Sequence, residues 1–416
     1  MHAPENRDPA AATTASDPSG IPFESISPES LRKLRTSIKW TRYPDDVLPL
    51  FVAEMDFTVS PTIQQAIIDR VLASDTGYLD APGPLAPAFA DFARDRWGWD
   101  VDPSSVHICT DVSAGIVETL RLALPQGGRV AITTPVYPSF FEMLEELPVE
   151  IVEIPLVDVN NESAPDARLD LDALAAEFAS DAGIDALLLC SPHNPHGLIH
   201  TADELSRLAH LAQANDVFIV SDEIHAPLTH SGQVFVPFGP IAAEAGARSV
   251  TVTSASKGWN LAGTKCAIVV ASGERENLLL QRLPPEVACR ASILGLHANV
   301  AAFRDAREWL DAVVIRIEQN ARLLAELIAS MLPGVRYSLP QAGYLAWLDF
   351  RGTSIAADPH GTILREARVA LGDGRAFGRG GTGHVRINLA CAPETLRAAI
   401  ARIAAVTQKH EAEDIS

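Results

Sequence analysis

Cysteine is scarce in this chain: five in 416 residues, at 109, 190, 266, 289 and 391, odd in number, far apart and without a CxxC pair. That pattern excludes a disulfide scaffold, offers no zinc or dithiol motif, and fits reduced thiols in a cytoplasm. No stretch reaches the roughly 18 apolar residues of a membrane-spanning helix. Cations are also short, with 33 Lys and Arg against 53 Asp and Glu and a formal net charge of −20. Phosphate backbones and anionic lipids are held by cationic side chains, so nucleic acid and membrane are excluded as partners. No internal repeat is present. Residues 1–20, MHAPENRDPAAATTASDPSG, lack both a basic n-region and an apolar h-region, and read as a disordered tail rather than a signal peptide.

The composition is otherwise that of a globular protein, with 47% hydrophobic and 21% charged residues. The length suits two domains. From Val106 onward, short β-branched runs alternate with helical periodicity, which predicts an α/β fold around a mainly parallel sheet. The strands expected are Val106–Cys109, Arg129–Thr133, Glu150–Ile154, Ala186–Cys190, Phe218–Asp222, Ser249–Thr253 and Lys265–Ala271. Helices are expected at Ser113–Leu124, Ser139–Leu147, Leu171–Phe178 and Ala202–Asn215. After Leu283-Pro284-Pro285 comes a long helical region, Ile293–Leu332, broken near Ala312. Beyond Pro333-Gly334, strands Tyr344–Asp349 and His384–Asn388 alternate with helices Thr362–Leu371 and Pro393–Thr407. The expected division is an N-terminal segment, 21–56, packing on the small domain; a large domain, 57–290; and a connector helix with a small C-terminal α/β domain, 291–416.

Several residues at strand exits carry chemistry. In SASKGWNLAGTKCA, Lys257 closely follows a strand, where a desolvated amine becomes a nucleophile for a carbonyl. Asp222 ends another strand, at the edge where ligands of open α/β sheets collect, and a carboxylate there can pair with a protonated ring nitrogen. Asn194, in SPHNPHGL, offers an amide to a ring oxygen. Asp111-Val112-Ser113-Ala114-Gly115 lies between strand and helix, so its N–H groups can cradle a phosphate. Tyr137, in TPVYPSF, can stack on a flat ring. Singly, each has a plainer reading: a solvated lysine, a capping aspartate, an Asn-Pro turn, an ordinary βα turn, a core tyrosine.

Their order and spacing resemble the fold-type-I, class I/II aminotransferase-like family of pyridoxal 5′-phosphate (PLP) enzymes from about Lys39 to Ile403. The matching pieces are the turn at 111–115, Tyr137, Asn194-Pro195-x-Gly197, Asp222-x-x-His225, Ser254-x-x-Lys257 and Arg386. The resemblance implies PLP held as a Schiff base on Lys257, with Asp222 on the pyridine nitrogen. It puts Tyr137 on the ring, Asn194 and His225 at the phenolic oxygen, and Val112, Ser113 and Ser254 at the phosphate. Arg386, in GHVRINLA, takes the position that grips the substrate α-carboxylate. Tyr78 resembles the tyrosine that reaches the neighbouring subunit's phosphate, implying a homodimer with composite sites.

Two departures narrow the branch. The family's D-x-x-Y is Asp222-Glu223-Ile224-His225 here, and the phosphate arginine eight residues after the lysine is Lys265, which keeps the charge but loses the two-donor fork. A histidine near the ring is expected to titrate near neutrality. His225, together with LPLFVAEMDF, GYLDAPG, SASKGWNLAG, GYLAWLDFRG and FGRGGTGHVRINLAC, resembles the MalY/PatB-type cystathionine β-lyase (C–S lyase) group. The implied reaction is β-elimination from a sulfur amino acid to pyruvate, ammonia and a thiol. An aminotransferase shares the same Lys, Asp and Arg, and a regulatory protein retaining the fold is a third reading.

Overall fold

The computed structural model describes residues 26–158 and 167–415; the expected tail, 1–20, lies outside the described residues. Seven strands form the large sheet: β1 (Val106–Cys109), β2 (Gly128–Thr134), β3 (Val149–Pro155), β4 (Ala186–Cys190), β5 (Phe218–Asp222), β6 (Ser249–Thr253) and β7 (Ala267–Ala271). Their spatial order is β1-β7-β6-β5-β4-β2-β3. Strand β7 runs antiparallel to both neighbours, while the pairs β6/β5, β5/β4, β4/β2 and β2/β3 are parallel. The sheet is therefore mainly parallel, as expected.

Successive side chains of a strand point to opposite faces, and here both faces are covered. Val130, Ile132, Ala186, Leu188, Phe218 and Val220 enter one core, with helix α1 (Val112–Ala123). Ala131, Leu187, Leu189 and Ile219 enter another, with the helices Leu171–Phe178 and Ala202–Ala214. That double burial explains why the strands read as continuous apolar runs. The second helix opens on a capping box, in which Thr201 and Glu204 satisfy each other's backbone N–H groups.

The C-terminal sheet has the order Arg336–Tyr337, Leu345–Asp349, His384–Asn388, Gly372–Asp373, all antiparallel. Two expectations are corrected here. The long helical region breaks at Ala306, not Ala312, between helices Ile293–Asp305 and Arg307–Met331. The Trp259 indole N–H donates to the Ala306 carbonyl at 2.8 Å, a tertiary contact that helical periodicity does not reveal. The expected helix Thr362–Leu371 is instead a short turn, Pro359–Thr362, followed by a widened π-type turn, Ile363–Ala367. Arg368 then adopts φ +56°, which ends the turn, and Val369–Ala370 form a strand parallel to Leu48–Pro49. The chain from Leu48 to Asp56 thus runs along 368–391, with Leu50 N–H on Ala370 O and Asp56 N–H on Ala390 O. Lys39 and Asp56 form a buried ion pair beneath it.

Candidate active site

Parallel strands end on one edge, and seven chemical residues lie at or just past such ends: Ser113 after β1, Tyr137 after β2, Asn194 after β4, Asp222 and His225 at β5, and Ser254 and Lys257 after β6. Strand β7 enters antiparallel, so Lys265 at its start lies on the same edge. Arg386 arrives from the small sheet, where it pairs across with Trp347 and Gly372.

The contacts bind these pieces together. Arg386 Nη1 donates to Asn194 Oδ1 at 3.0 Å and Nη2 to Phe51 O at 3.1 Å, and the guanidinium lies over the Phe377 ring at 5.1 Å. Its Nε is buried without a partner among the described residues. Burial lowers its pKa to about 10. Lys257 Nζ donates to Ala53 O at 3.1 Å. Burial and then Arg386 lower the Lys257 amine to about 8, against the opposite pull of Asp222 and Glu54. Asp222 accepts Ile224 N–H at 3.1 Å and has no ion-pair partner among the described residues; burial raises it to about 7.

His225 corrects an expectation. Burial, then Lys257 and Arg386, depress it to about 3, so it is neutral across the physiological range rather than titrating near pH 7. Its ring stands edge-on to Tyr344, with 6.2 Å between centroids. Ser254 Oγ is engaged with Cys266 O and Ser256 Oγ, both at 2.7 Å. Val112 and Ser113 open α1, whose N-cap Asp111 accepts Ala114 N–H at 2.9 Å. Tyr137 is half-buried beside Phe140. Lys265 pairs with Asp111 at 2.8 Å. Tyr78 is 91% exposed.

The residue types alone do not reveal one wall of the site. Backbone carbonyls of residues 51–55 accept in turn from Arg386, Asn388, Lys257, Asn388 again and Asn260. Tyr344, fully buried, donates its hydroxyl to the same Ala53 oxygen that Lys257 uses, at 2.9 Å. Asn260 also takes Met55 N–H on its Oδ1, a two-bond clamp. These residues lie within LPLFVAEMDF, SASKGWNLAG, GYLAWLDFRG and FGRGGTGHVRINLAC, but nothing local to those segments shows the contacts.

Buried charges are costly unless paired. Lys257, Asp222 and Arg386 are three such groups without a counter-ion among the described residues, and together they complement a ligand with an electrophilic carbonyl, a cationic ring nitrogen and carboxylate substituents. PLP with an amino acid meets that description, and the N-terminus of α1 suits its phosphate. A test of the Lys257 environment follows. Only the neutral amine attacks a carbonyl, so the rate of covalent PLP capture by apoenzyme should rise with pH through about 8 and level off above it. A stopped-flow pH series checks this; a rate still climbing near pH 10, where an ordinary lysine titrates, would contradict it.

Residues 45–403 match the family Aminotransferase class I and II. The chain is 35% identical to cystathionine beta-lyase of Corynebacterium glutamicum over 91% of its own length and 98% of the relative's. It is 30% identical to cystathionine beta-lyase PatB of Bacillus subtilis, covering 89% and 96%. Among solved structures it superposes on cystalysin of Treponema denticola, which contains a pyridoxal 5′-phosphate cofactor, with a TM-score of 0.84 and 25% identity, covering 92% and 98%.

Proposed function

The chain belongs to the aminotransferase class I and II family, and we infer that it is a PLP-dependent carbon–sulfur β-lyase, which eliminates a thiol from a sulfur amino acid and leaves pyruvate and ammonia. Buried, unpaired Lys257, Asp222 and Arg386 support the PLP chemistry, which an aminotransferase would share; the observation that carries the lyase reading is the likeness over nearly the whole chain to relatives named cystathionine β-lyase.

When bound, PLP supplies an aldehyde for covalent attachment and a conjugated ring that accepts the electron pair left by an α-proton. The rest is the work of the protein. Lys257 would hold the cofactor and carry the Cα proton on Nζ; an amine lowered to about 8 can both accept and return a proton near neutrality. Arg386 exchanges its carbonyl partner for the substrate carboxylate and fixes the Cα–H direction. Asp222 would pair with the ring nitrogen, where a cation pulls its raised pKa back down and keeps it ionised. Neutral His225 and Asn194 would face the ring oxygen, Tyr137 the ring, and Val112, Ser113 and Ser254 the phosphate.

The same reading makes the enzyme a cytoplasmic homodimer of two-lobed subunits. Among the described residues no helix is long and apolar enough to cross a membrane. Exposed Ile68, Val71 and Leu72, close in sequence to exposed Tyr78, form an apolar surface suited to a second subunit, whose phosphate Tyr78 would reach.

The reaction type is tested with cystathionine, an S-alkyl cysteine and alanine. A β-lyase yields stoichiometric pyruvate, ammonia and thiol from the two sulfur compounds without any keto acid, turning over continuously. Turnover that stops after one equivalent until a keto acid is added, with alanine accepted and no thiol released, would establish an aminotransferase instead.

A further inference from the structure

Lys265 and Asp111 are brought together by sheet register. Strand β7 pairs antiparallel with β1, Ala267 opposite Cys109, and extending that register by two residues sets Lys265 opposite Asp111. Both ends are pinned. Lys265 has φ +54°, and its carbonyl accepts Ser292 N–H at 2.9 Å. Asp111 caps α1 with two acceptors: Oδ1 takes Ala114 N–H at 2.9 Å, and the backbone carbonyl takes Gly115 N–H at 3.0 Å. The remaining oxygen, Oδ2, takes Lys265 Nζ at 2.8 Å.

A carboxylate at this cap satisfies the helix but puts a negative charge beside the Val112 and Ser113 N–H groups, where the phosphate of PLP would sit. Like charges at that separation repel. We propose that Lys265 is a positioning residue that serves the cofactor phosphate through Asp111, cancelling the charge of the cap, rather than a direct phosphate ligand in the manner of the arginine it replaces. The pair then acts as a neutral unit, and the main-chain N–H groups of α1 bind the phosphate. This rests on the reading that the α1 N-terminus receives the phosphate, and the test separates the two.

The experiment measures dissociation constants of apoenzyme for PLP and for pyridoxal, which lacks the phosphate, by absorbance titration. Variants are Lys265→Met, Asp111→Asn and the double substitution; asparagine caps a helix as well as aspartate does, so α1 is preserved. Lys265→Met alone exposes the Asp111 charge and should weaken PLP binding on the order of tenfold, less at high ionic strength because the pair is partly solvated, while pyridoxal binding is unchanged. In the double variant no uncompensated charge remains, and PLP affinity should return to within about twofold of wild type. A double variant as weak as Lys265→Met would show direct contact and overturn the proposal, as would a Lys265→Met variant with unaltered PLP affinity. A wild-type enzyme that binds pyridoxal as tightly as PLP would overturn the phosphate placement, and the proposal with it.

Discussion

Lys257→Ala is expected to yield a folded but colourless enzyme whose turnover falls by at least about a thousandfold. Two functions are lost at once: covalent retention of the cofactor, and the base that moves the Cα proton, worth roughly a hundred- to ten-thousandfold on its own. The fold should tolerate the change, because among the described residues Lys257 makes one hydrogen bond, to Ala53 O, which Tyr344 continues to occupy. Removing a buried amine that lacks a counter-ion should leave the melting temperature level or raise it. Borohydride treatment of the wild type followed by peptide mapping should find reduced cofactor on Lys257. Label on Lys265, or an alanine variant that retains visible absorbance and activity, would refute the assignment.

The second large effect is expected at Arg386. Its guanidinium reaches Asn194 and Phe51 O with two different nitrogens, a forked geometry that lysine cannot reproduce from one ammonium. One charge-assisted bond to a carboxylate is worth about 1.5–3 kcal/mol, so Arg386→Lys should lower kcat/KM roughly ten- to a hundredfold, largely through KM. The spectrum of the bound cofactor should hardly change, since Arg386 serves the substrate. Steady-state kinetics with cystathionine, alongside a cofactor spectrum, separate the two effects. Unchanged kinetics would remove Arg386 from the site, and loss of cofactor would make it structural.

Much of the sheet was legible because its strands are buried on both faces: Ala186–Cys190, Phe218–Asp222 and Ser249–Thr253 read as mostly apolar or β-branched runs and form as read. Local patterns fail where a distant group decides. At the break the Ala306 carbonyl accepts from the distant Trp259 indole, and the strand Val369–Ala370 pairs with the distant Leu48–Pro49. Tyr344 stood inside a quoted motif without a role, since nothing local shows that its hydroxyl meets the carbonyl used by Lys257.

The sequence by itself determined the strand runs, the order of the chemical residues and hence the family, because hydrophobic periodicity and motif spacing are properties of the linear chain. Protonation and pairing were decided only by the tertiary structure. His225 becomes a neutral ring because burial and two neighbouring cations oppose its charge. Lys265 meets Asp111 because an antiparallel register sets them opposite each other across 154 positions of chain. Arg386 faces Asn194 from another sheet. Desolvation and Coulomb energy depend on distance in space, which residue spacing along the chain does not contain.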